Sequence, residues 1–298
     1  MPYDVIMNEI RQLVWNGELN VLISIDPSFL MKGSPKEMAV VRIRVPRETY
    51  LINYMPLIWN RIQDFLSFDP LNEKEKYFWF EHNGRPIRWN YPVGVLFDGL
   101  VASSATFFTS SGIHPENAIT FFKVHLVMGE VLPSTVIPIL SSSNQAEKFW
   151  FHQWKQVCFI LNGSSKGIMS LSVNESRKFW RSVITRNFQD FIEISNKISP
   201  SRPRHVPIII QTHKDLGTGV ISQPTISMTG VNPTLRDIEQ EVFGAKELID
   251  AESYAIVSQG IEIPWDIALF DLYLKFRSFD GFLYITLVPK ISVTRALP

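Results

Sequence analysis

The chain is short of almost everything that marks a secreted, membrane-spanning or metal-dependent protein. It carries a single cysteine, Cys158, which excludes an internal disulfide framework and a multi-cysteine zinc site. That scarcity fits a reducing compartment. No apolar run reaches about 18 residues, so no transmembrane helix is expected. The first ten residues, MPYDVIMNEI, lack the basic-then-apolar order of a signal peptide. The sequons at Asn162 and Asn174 are therefore expected to be unused. There is no Walker-type phosphate loop, no H-E-x-x-H and no G-x-S-x-G. The six histidines, His82, His114, His125, His152, His205 and His213, are scattered, and none pairs with another at metal-ligand spacing on a helix. No metal and no cofactor is expected. A surplus of charge is missing as well: 29 basic residues balance 29 acidic ones, which argues against a nucleic-acid binder.

What is present is globular in character: 298 residues, 45% hydrophobic and 19% charged. The densest aromatic stretch is QAEKFWFHQWKQVCFILN, from Gln145 to Asn162. Ala146, Trp150, Trp154, Val157 and Leu161 recur at steps of four or three, which places them on one stripe of an α-helix. Burying that stripe contributes on the order of 10 kcal/mol as an upper bound. Lys148, His152 and Lys155 fall on a different, polar face. Cys158 lies beside Val157 and Phe159, near the core stripe, and reads as a buried structural thiol rather than a thioester-forming nucleophile.

The rest of the chain reads as strands around this helical middle. Tyr3, Ile6, Ile10 and Leu13 predict a short amphipathic N-terminal helix. Gly17 to Asp26 and Met38 to Val45 alternate as strands do. A helical stripe follows over Leu51 to Phe65, with Pro56 tolerable near its first turn. Tyr77 to Phe80, Val93 to Phe97 and Thr120 to Val127 are further strand candidates. His125, within an apolar strand, reads as a satisfied structural histidine. Leu100 to Ile119 is Ser/Thr-rich and predicts a surface loop, and Pro133 to Asn144 a linker. Asn162 and Gly163 stop the aromatic helix. Ser172 and Glu175 form a capping box opening a helix whose stripe continues to Ile198. SPSRPRHVP, from Ser199 to Pro207, is a boundary.

Beyond it the order repeats. Ile208 to Gln211 and Val220 to Met228 read as strands. Asn232 and Pro233 open a helix through Phe243, with Asn232 as its cap. Tyr254 to Ile261 reads as a strand and Trp265 to Phe276 as a helix. FLYITLV, from Phe282 to Val288, suits a strand buried on both faces. The fold class is α+β: two ubiquitin-like β-grasp domains flanking a helix-rich domain, with a short N-terminal helix. The boundaries are 1–16 for the helix, 17–132 for the first ubiquitin-like domain, 133–204 for the helix-rich domain and 205–298 for the second.

Several stretches are distinctive: HQWKQVCFILNGSSK from His152, WNGELNVLISIDPSFLMKGSP from Trp15, EKYFWFEHN from Glu75 and ISQPTISMTGVNPTLRDIE from Ile221. Together they resemble the autophagy protein 5 family in its budding-yeast form, over nearly the whole chain. The resemblance implies that one lysine accepts the C-terminal glycine of a ubiquitin-like modifier, autophagy protein 12, through an isopeptide bond. The matching position in HQWKQ is Lys155, as substrate nucleophile and not as catalytic residue. The modifier would arrive through the E1-like autophagy protein 7 and the E2-like autophagy protein 10. The conjugate would bind the coiled-coil autophagy protein 16. Through the E2-like autophagy protein 3, the assembly would promote lipidation of autophagy protein 8 with phosphatidylethanolamine during autophagosome formation. The expected location is cytoplasmic, peripheral at the preautophagosomal membrane. The chain's last residues, RALP, lack a diglycine, so it is expected to supply the amine and not the carboxylate. No catalytic residue is expected in the chain itself.

Between Asn144 and Pro207 ten basic residues face four acidic ones. Lys166, Arg177 and Lys178 are the candidate contact with an anionic membrane, each worth about 1 kcal/mol near such a surface. The alternative to the acceptor reading is a scaffold or helix-binding adaptor that is never conjugated.

Overall fold

The computed structural model describes residues 3–70, 76–102, 121–140, 144–200, 203–212, 222–228, 232–238 and 254–289. Its first sheet is built from β1 (Glu18–Ile25), β2 (Val40–Pro46), β3 (Tyr77–His82), β4 (Arg85–Ile87) and β5 (Phe121–Gly129), in the order β2-β1-β5-β3-β4. The outer strands are antiparallel to their neighbours, and β1 runs parallel to the central β5, with Val21 opposite Phe122 and Ile23 opposite Val124. The alternation of β1 buries Val21, Ile23 and Ile25, as period-two strands with one covered face must. Helix α2 (Met55–Ile62) lies between β2 and β3 in sequence and buries Met55, Ile58 and Ile62. Pro56 sits in its first turn, where no donor is lost.

A second sheet repeats this plan. β7 (Ile208–Thr212), β9 (Tyr254–Ser258), β10 (Ile261–Ile263) and β11 (Leu283–Pro289) lie in the order β10-β9-β11-β7. β7 and β11 are parallel, like β1 and β5. An antiparallel bridge between Ile210 and Ser222 marks the place that β2 holds in the first sheet. β11 is central, and Leu283, Ile285 and Leu287 on one face and Tyr284, Thr286 and Val288 on the other are all buried. A near-continuous apolar run is what such a strand needs. Helix α8 (Leu269–Phe276) buries Leu269, Leu272, Tyr273 and Phe276. Both sheets therefore have the β-grasp order.

Between them lie α4 (Gln145–Asn162), α5 (Lys166–Met169), α6 (Val173–Ile184) and α7 (Phe188–Ile198), while β6 (His205–Val206) pairs with β8 (Ile226–Ser227). The capping box is formed: the Glu175 amide donates to Ser172 Oγ, and the Ser172 amide donates to Glu175 Oε2 at 2.8 Å. Gly163, at φ 71°, is the left-handed stop of α4, and its amide donates to the Phe159 carbonyl.

Several expectations are corrected. Val93–Phe97 is a short helix, α3, not a strand. Its five residues are buried on every side, so their apolar run carried no period to read. The stripe over Leu51 to Phe65 is an α-helix only at its centre, with 3-10 turns on both sides. Of the stripe expected on the N-terminal helix α1 (Tyr3–Trp15), Ile10 packs against the core but Leu13 is 73% exposed, and Arg11, Val14 and Trp15 are buried instead. The helix after the capping box is two helices. Arg186, at φ 59°, breaks it, and the Asn187 side chain caps α7 by accepting from the Asp190 amide. Asn232 is not the cap of a helix that begins beside it; its side chain accepts from the Phe270 amide at the start of α8. Thr234 and Asp237 make the local cap-like pair instead, and Leu235 to Ile238 is a turn. The continuation of that helix to Phe243, most of the Leu100 to Ile119 loop and the start of the strand expected from Val220 lie outside the described residues. Of the Pro133 to Asn144 stretch, residues 141–143 lie outside the described residues; before them the Ile139 amide donates to the Phe78 carbonyl at the edge of β3.

The pieces are joined by buried polar groups. Arg11 Nη1 lies 3.1 Å from Glu48 Oε1, with both side chains out of solvent. Arg186 donates to the Glu48 carbonyl at 3.1 Å and to the Trp15 carbonyl, and its guanidinium stacks 4.0 Å over the Trp15 ring. Gln259, in the β9–β10 turn, donates to Glu48 Oε1. Arg47 holds Asp98 at 2.5 Å, and Asp98 in turn accepts from the Gly260 amide. One acidic residue of the first ubiquitin-like domain thus touches the N-terminal helix, the helical layer and the second ubiquitin-like domain.

Candidate functional site

Helix α4 is fixed from one side. Ala146, Trp150, Trp154, Val157 and Leu161 are all buried, as their spacing requires. Trp150 Nε1 and Trp154 Nε1 both donate to the Phe279 carbonyl, at 2.8 and 3.0 Å. That carbonyl belongs to the loop between α8 and β11, so two indoles clamp the second ubiquitin-like domain to the helix. The next residue, Asp280, accepts from the Tyr284 hydroxyl at 2.7 Å and from the Phe282 amide. Burial pushes its carboxyl up to about 7. Gly281 follows at φ 88°, where a Cβ would meet Val157 at 3.0 Å and Trp154 at 3.2 Å. Only glycine allows the loop to approach α4 so closely. From the first domain, the Tyr50 ring lies 4.7 Å from Phe279 and 5.8 Å from Phe149. The core stripe therefore wedges α4 between the two sheets.

The opposite face of α4 is open. His152, Lys155, Gln156 and Phe159 are exposed, Phe159 by 62%. Lys155 follows the wholly buried Trp154, so the rigid stripe and the free amine are adjacent residues. Among the described residues no ion pair or hydrogen bond holds the Lys155 amine. His152 Nε2 lies 3.2 Å from the Gln156 amide nitrogen, so the imidazole is engaged one turn along its own helix and not with Lys155. Lys155 borders an open groove with Gln156, Phe159, Ile160, Ser165 and Gln223. A separate trough of about 440 Å³ shares Phe159, Ile160 and Gln223 with it and is lined by Gly163, Arg204, Pro224 and Thr225. Lys155 thus borders the shallower of two neighbouring depressions between α4 and the segment that carries Gln223. Phe159 and Gln223 escaped the sequence reading: Phe159 looks like core by composition, and Gln223 comes from a distant segment.

Cys158 is wholly buried, and burial raises its thiol to about 11. It is no nucleophile in this setting. His125 is half-buried and bonded through Nδ1 to Ser24 Oγ at 2.8 Å. Among the described residues no cluster of His, Cys, Asp and Glu suits a metal ion, and no helix is long and apolar enough to cross a membrane.

The three basic residues expected at a membrane do not act as one group. Lys166 and Arg177 are exposed and without ion pairs among the described residues. Lys178 is bound to Asp190 at 3.1 Å and Glu193 at 2.7 Å, and these carboxylates raise its pKa. Its charge is spent on holding α6 to α7. Arg177 and Lys178 line a shallow basin with Arg181, and Lys166 lies outside it.

Two β-grasp sheets braced by a helical layer, with an exposed lysine on that layer that has no partner among the described residues, define a class: a tandem ubiquitin-like protein organised around a helical bundle. Family comparisons give the same three parts in the same order. The UblA domain of autophagy protein ATG5 matches residues 14–115, its alpha-helical bundle region residues 143–201 and its UblB domain residues 205–287. Autophagy protein 5 of Saccharomyces cerevisiae is 73% identical over 283 residues, covering 95% of this chain and 96% of that protein. The Kluyveromyces lactis protein is 36% identical over 94% of this chain and all of its own length. The crystal structure of Kluyveromyces marxianus Atg5 superposes with a TM-score of 0.77 at 29% identity, covering 93% of this chain and 98% of that one. The chain belongs to the autophagy protein 5 family. Its role is accordingly in autophagy, with partners in that pathway.

Proposed function

We propose that the chain is the acceptor of the ubiquitin-like modifier autophagy protein 12, joined at Lys155, and that the conjugate is the working form. Lys155 Nζ, once deprotonated, attacks the carbonyl carbon of the modifier's C-terminal glycine, held as a thioester on an E2-like enzyme. The C–N bond forms, the C–S bond breaks and the carrier's thiolate leaves. The amine's proton passes to the carrier enzyme or to water, because His152 is engaged with Gln156. The chain contributes position and access rather than catalysis. The observation that carries this reading is the pairing of a buried Trp154, held by its bond to the Phe279 carbonyl, with an exposed Lys155 that has no partner among the described residues and borders a shallow groove.

The E1-like autophagy protein 7 and the E2-like autophagy protein 10 load and deliver the modifier in this reading. The coiled-coil autophagy protein 16 binds the conjugate without a covalent bond. The complex then acts in an E3-like manner with autophagy protein 3, transferring autophagy protein 8 to phosphatidylethanolamine. The conjugate works at the cytoplasmic face of the preautophagosomal membrane, held there in part by the exposed Lys166 and Arg177. The test is to digest the reconstituted conjugate and map the branched peptide by mass spectrometry. A branch at Lys155 is the expected result, and a branch at any other lysine overturns the assignment. The adaptor alternative predicts no branched peptide at all.

A further inference from the structure

We propose that the loop 279–281 of the second ubiquitin-like domain is a positioning element for the acceptor lysine: by fixing the rotation and register of α4, it sets the rate at which Lys155 reacts. This rests on the acceptor reading above and adds to it the residues that hold the amine in place.

The Trp150 and Trp154 rings lie 4.6 and 5.1 Å from the Phe179 ring, and Trp154 lies 6.3 Å from Phe191. Apolar burial is non-directional, so these contacts hold α4 in the helical layer without fixing its turn about its own axis. Hydrogen bonds are directional. Those of Trp150 and Trp154 leave α4 one turn apart and converge on one main-chain oxygen, that of Phe279. The loop that carries this oxygen is itself held. The Asp280 side chain accepts from the Tyr284 hydroxyl and the Phe282 amide. The Tyr273 hydroxyl donates to the Gly281 carbonyl at 3.1 Å, and the Gly281 amide donates to the Ser278 carbonyl at 2.9 Å. Near the other end of α4, the Arg204 amide donates to the Leu161 carbonyl at 2.7 Å. The helix is thus pinned at two places by segments that run into β11 and β6, and Lys155 lies between the pins.

The surroundings of the amine make that register count. Gln156, Phe159 and Ile160 border its groove from α4, whereas Gln223 comes from the segment before β8. A carrier enzyme that reaches the amine therefore meets surface on both sides of the joint. At a helix radius of about 5–6 Å with side chains, a turn of about 10° moves a surface group by about 1 Å. A misplacement of about 1 Å between reacting groups can cost about a hundredfold in rate. The flexible stem of lysine absorbs part of such a shift, so the expected losses fall below that limit.

The test is single-turnover conjugation of the full-length protein by carrier enzyme already loaded with the modifier, over a range of carrier concentrations. Trp150→Phe and Trp154→Phe each keep a ring in the core and remove one N–H donor. Each is expected to lower the maximal rate about threefold and the pair about tenfold, with the half-maximal carrier concentration within about twofold of the parent. Gly281→Ala, which displaces the loop from the other side, is expected to slow the maximal rate as the pair does. Ile194→Val, a core change in α7 that removes none of these hydrogen bonds, is expected to lower the unfolding midpoint and leave the maximal rate at the parental value. Parental maximal rates in both indole variants would overturn the proposal. So would equal slowing by Ile194→Val, which would tie the rate to overall stability, or a loss confined to the half-maximal concentration, which would make the loop a binding element alone. The parent's branched peptide keeps the two readings apart. A branch at Lys155 with parental rates in the variants defeats the positioning role only, whereas a branch at another lysine defeats the acceptor assignment.

Discussion

Changing Glu48 to Gln removes one charge and almost no volume from the place where the domains meet. Glu48 is wholly buried, and its partner Arg11 is 2% exposed. Burial lowers the Arg11 pKa, and Glu48 is the first influence opposing that shift. Without the carboxylate, a buried guanidinium is left uncompensated, with Arg277 as a further positive neighbour. Breaking one side of such a pair costs about 3–5 kcal/mol. The Arg186 bond to the Glu48 main chain and the Gln259 bond to Oε1 survive in Gln, but an amide NH2 then replaces the Oε2 that accepts from Arg11 Nη2 at 3.2 Å, so the cost combines the lost charge with that lost acceptor. Replacing both partners, Glu48→Gln with Arg11→Met, removes the stranded charge and should bring stability back to within about 1–2 kcal/mol of the parent. Urea unfolding followed by tryptophan fluorescence reads both variants, since Trp15 lies against Arg186 and Arg11. A single variant within about 1 kcal/mol of the parent, or a double variant as unstable as the sum of the singles, would refute the reasoning.

Other consequences can be read in similar ways. Asp280 titrates near 7 in the fold against 3.8 for an ordinary aspartate, so folding takes up a proton between those values. Its contribution is full below about pH 4 and is lost as pH rises through about 7. Asp280→Asn should therefore gain relative to the parent in urea midpoint from pH 5 to pH 8, and parallel pH profiles for the two proteins would contradict this. Gly281→Ala forces a side chain into left-handed backbone against Val157 and Trp154 and should cost about 2 kcal/mol by thermal or urea unfolding. An unchanged midpoint would show that the loop does not approach α4 as described. Cys158, buried with its thiol raised to about 11, should resist alkylation by iodoacetamide at pH 8 until urea is added. Rapid labelling of native protein would place the thiol at the surface.

The parts legible in the sequence were those governed by local spacing. The stripe from Ala146 to Leu161, the Ser172–Glu175 box and the Gly163 stop depend on neighbours within a few residues, and each stands as expected. FLYITLV was legible as a central strand because no charge, and only Thr286 and the Tyr284 hydroxyl, interrupt its apolar run. The misses depend on partners far away. Arg11 turns inward, displacing Leu13, because its acceptor lies 37 residues on. Arg186 adopts left-handed backbone where its guanidinium reaches Trp15 and the Glu48 carbonyl. Charge counting could not tell Lys178, spent on two carboxylates, from Arg181, which is free of ion pairs among the described residues. At the candidate site, periodicity put Trp154 inside and Lys155 outside. It gave no reason to prefer Lys155 over Lys148; that choice came from the family resemblance, and the shallow groove beside Lys155 came from the fold.

The central claim is that one amine, presented by a rigid helix, accepts the modifier. Lys155→Arg tests it most directly, because arginine keeps the charge and nearly all the packing and removes the nucleophile. In a reconstituted reaction with the activating and carrier enzymes, the variant should form no conjugate while its unfolding midpoint and its binding to the coiled-coil partner stay at parental values. Conjugate formed by the Lys155→Arg protein at the parental rate would contradict the account.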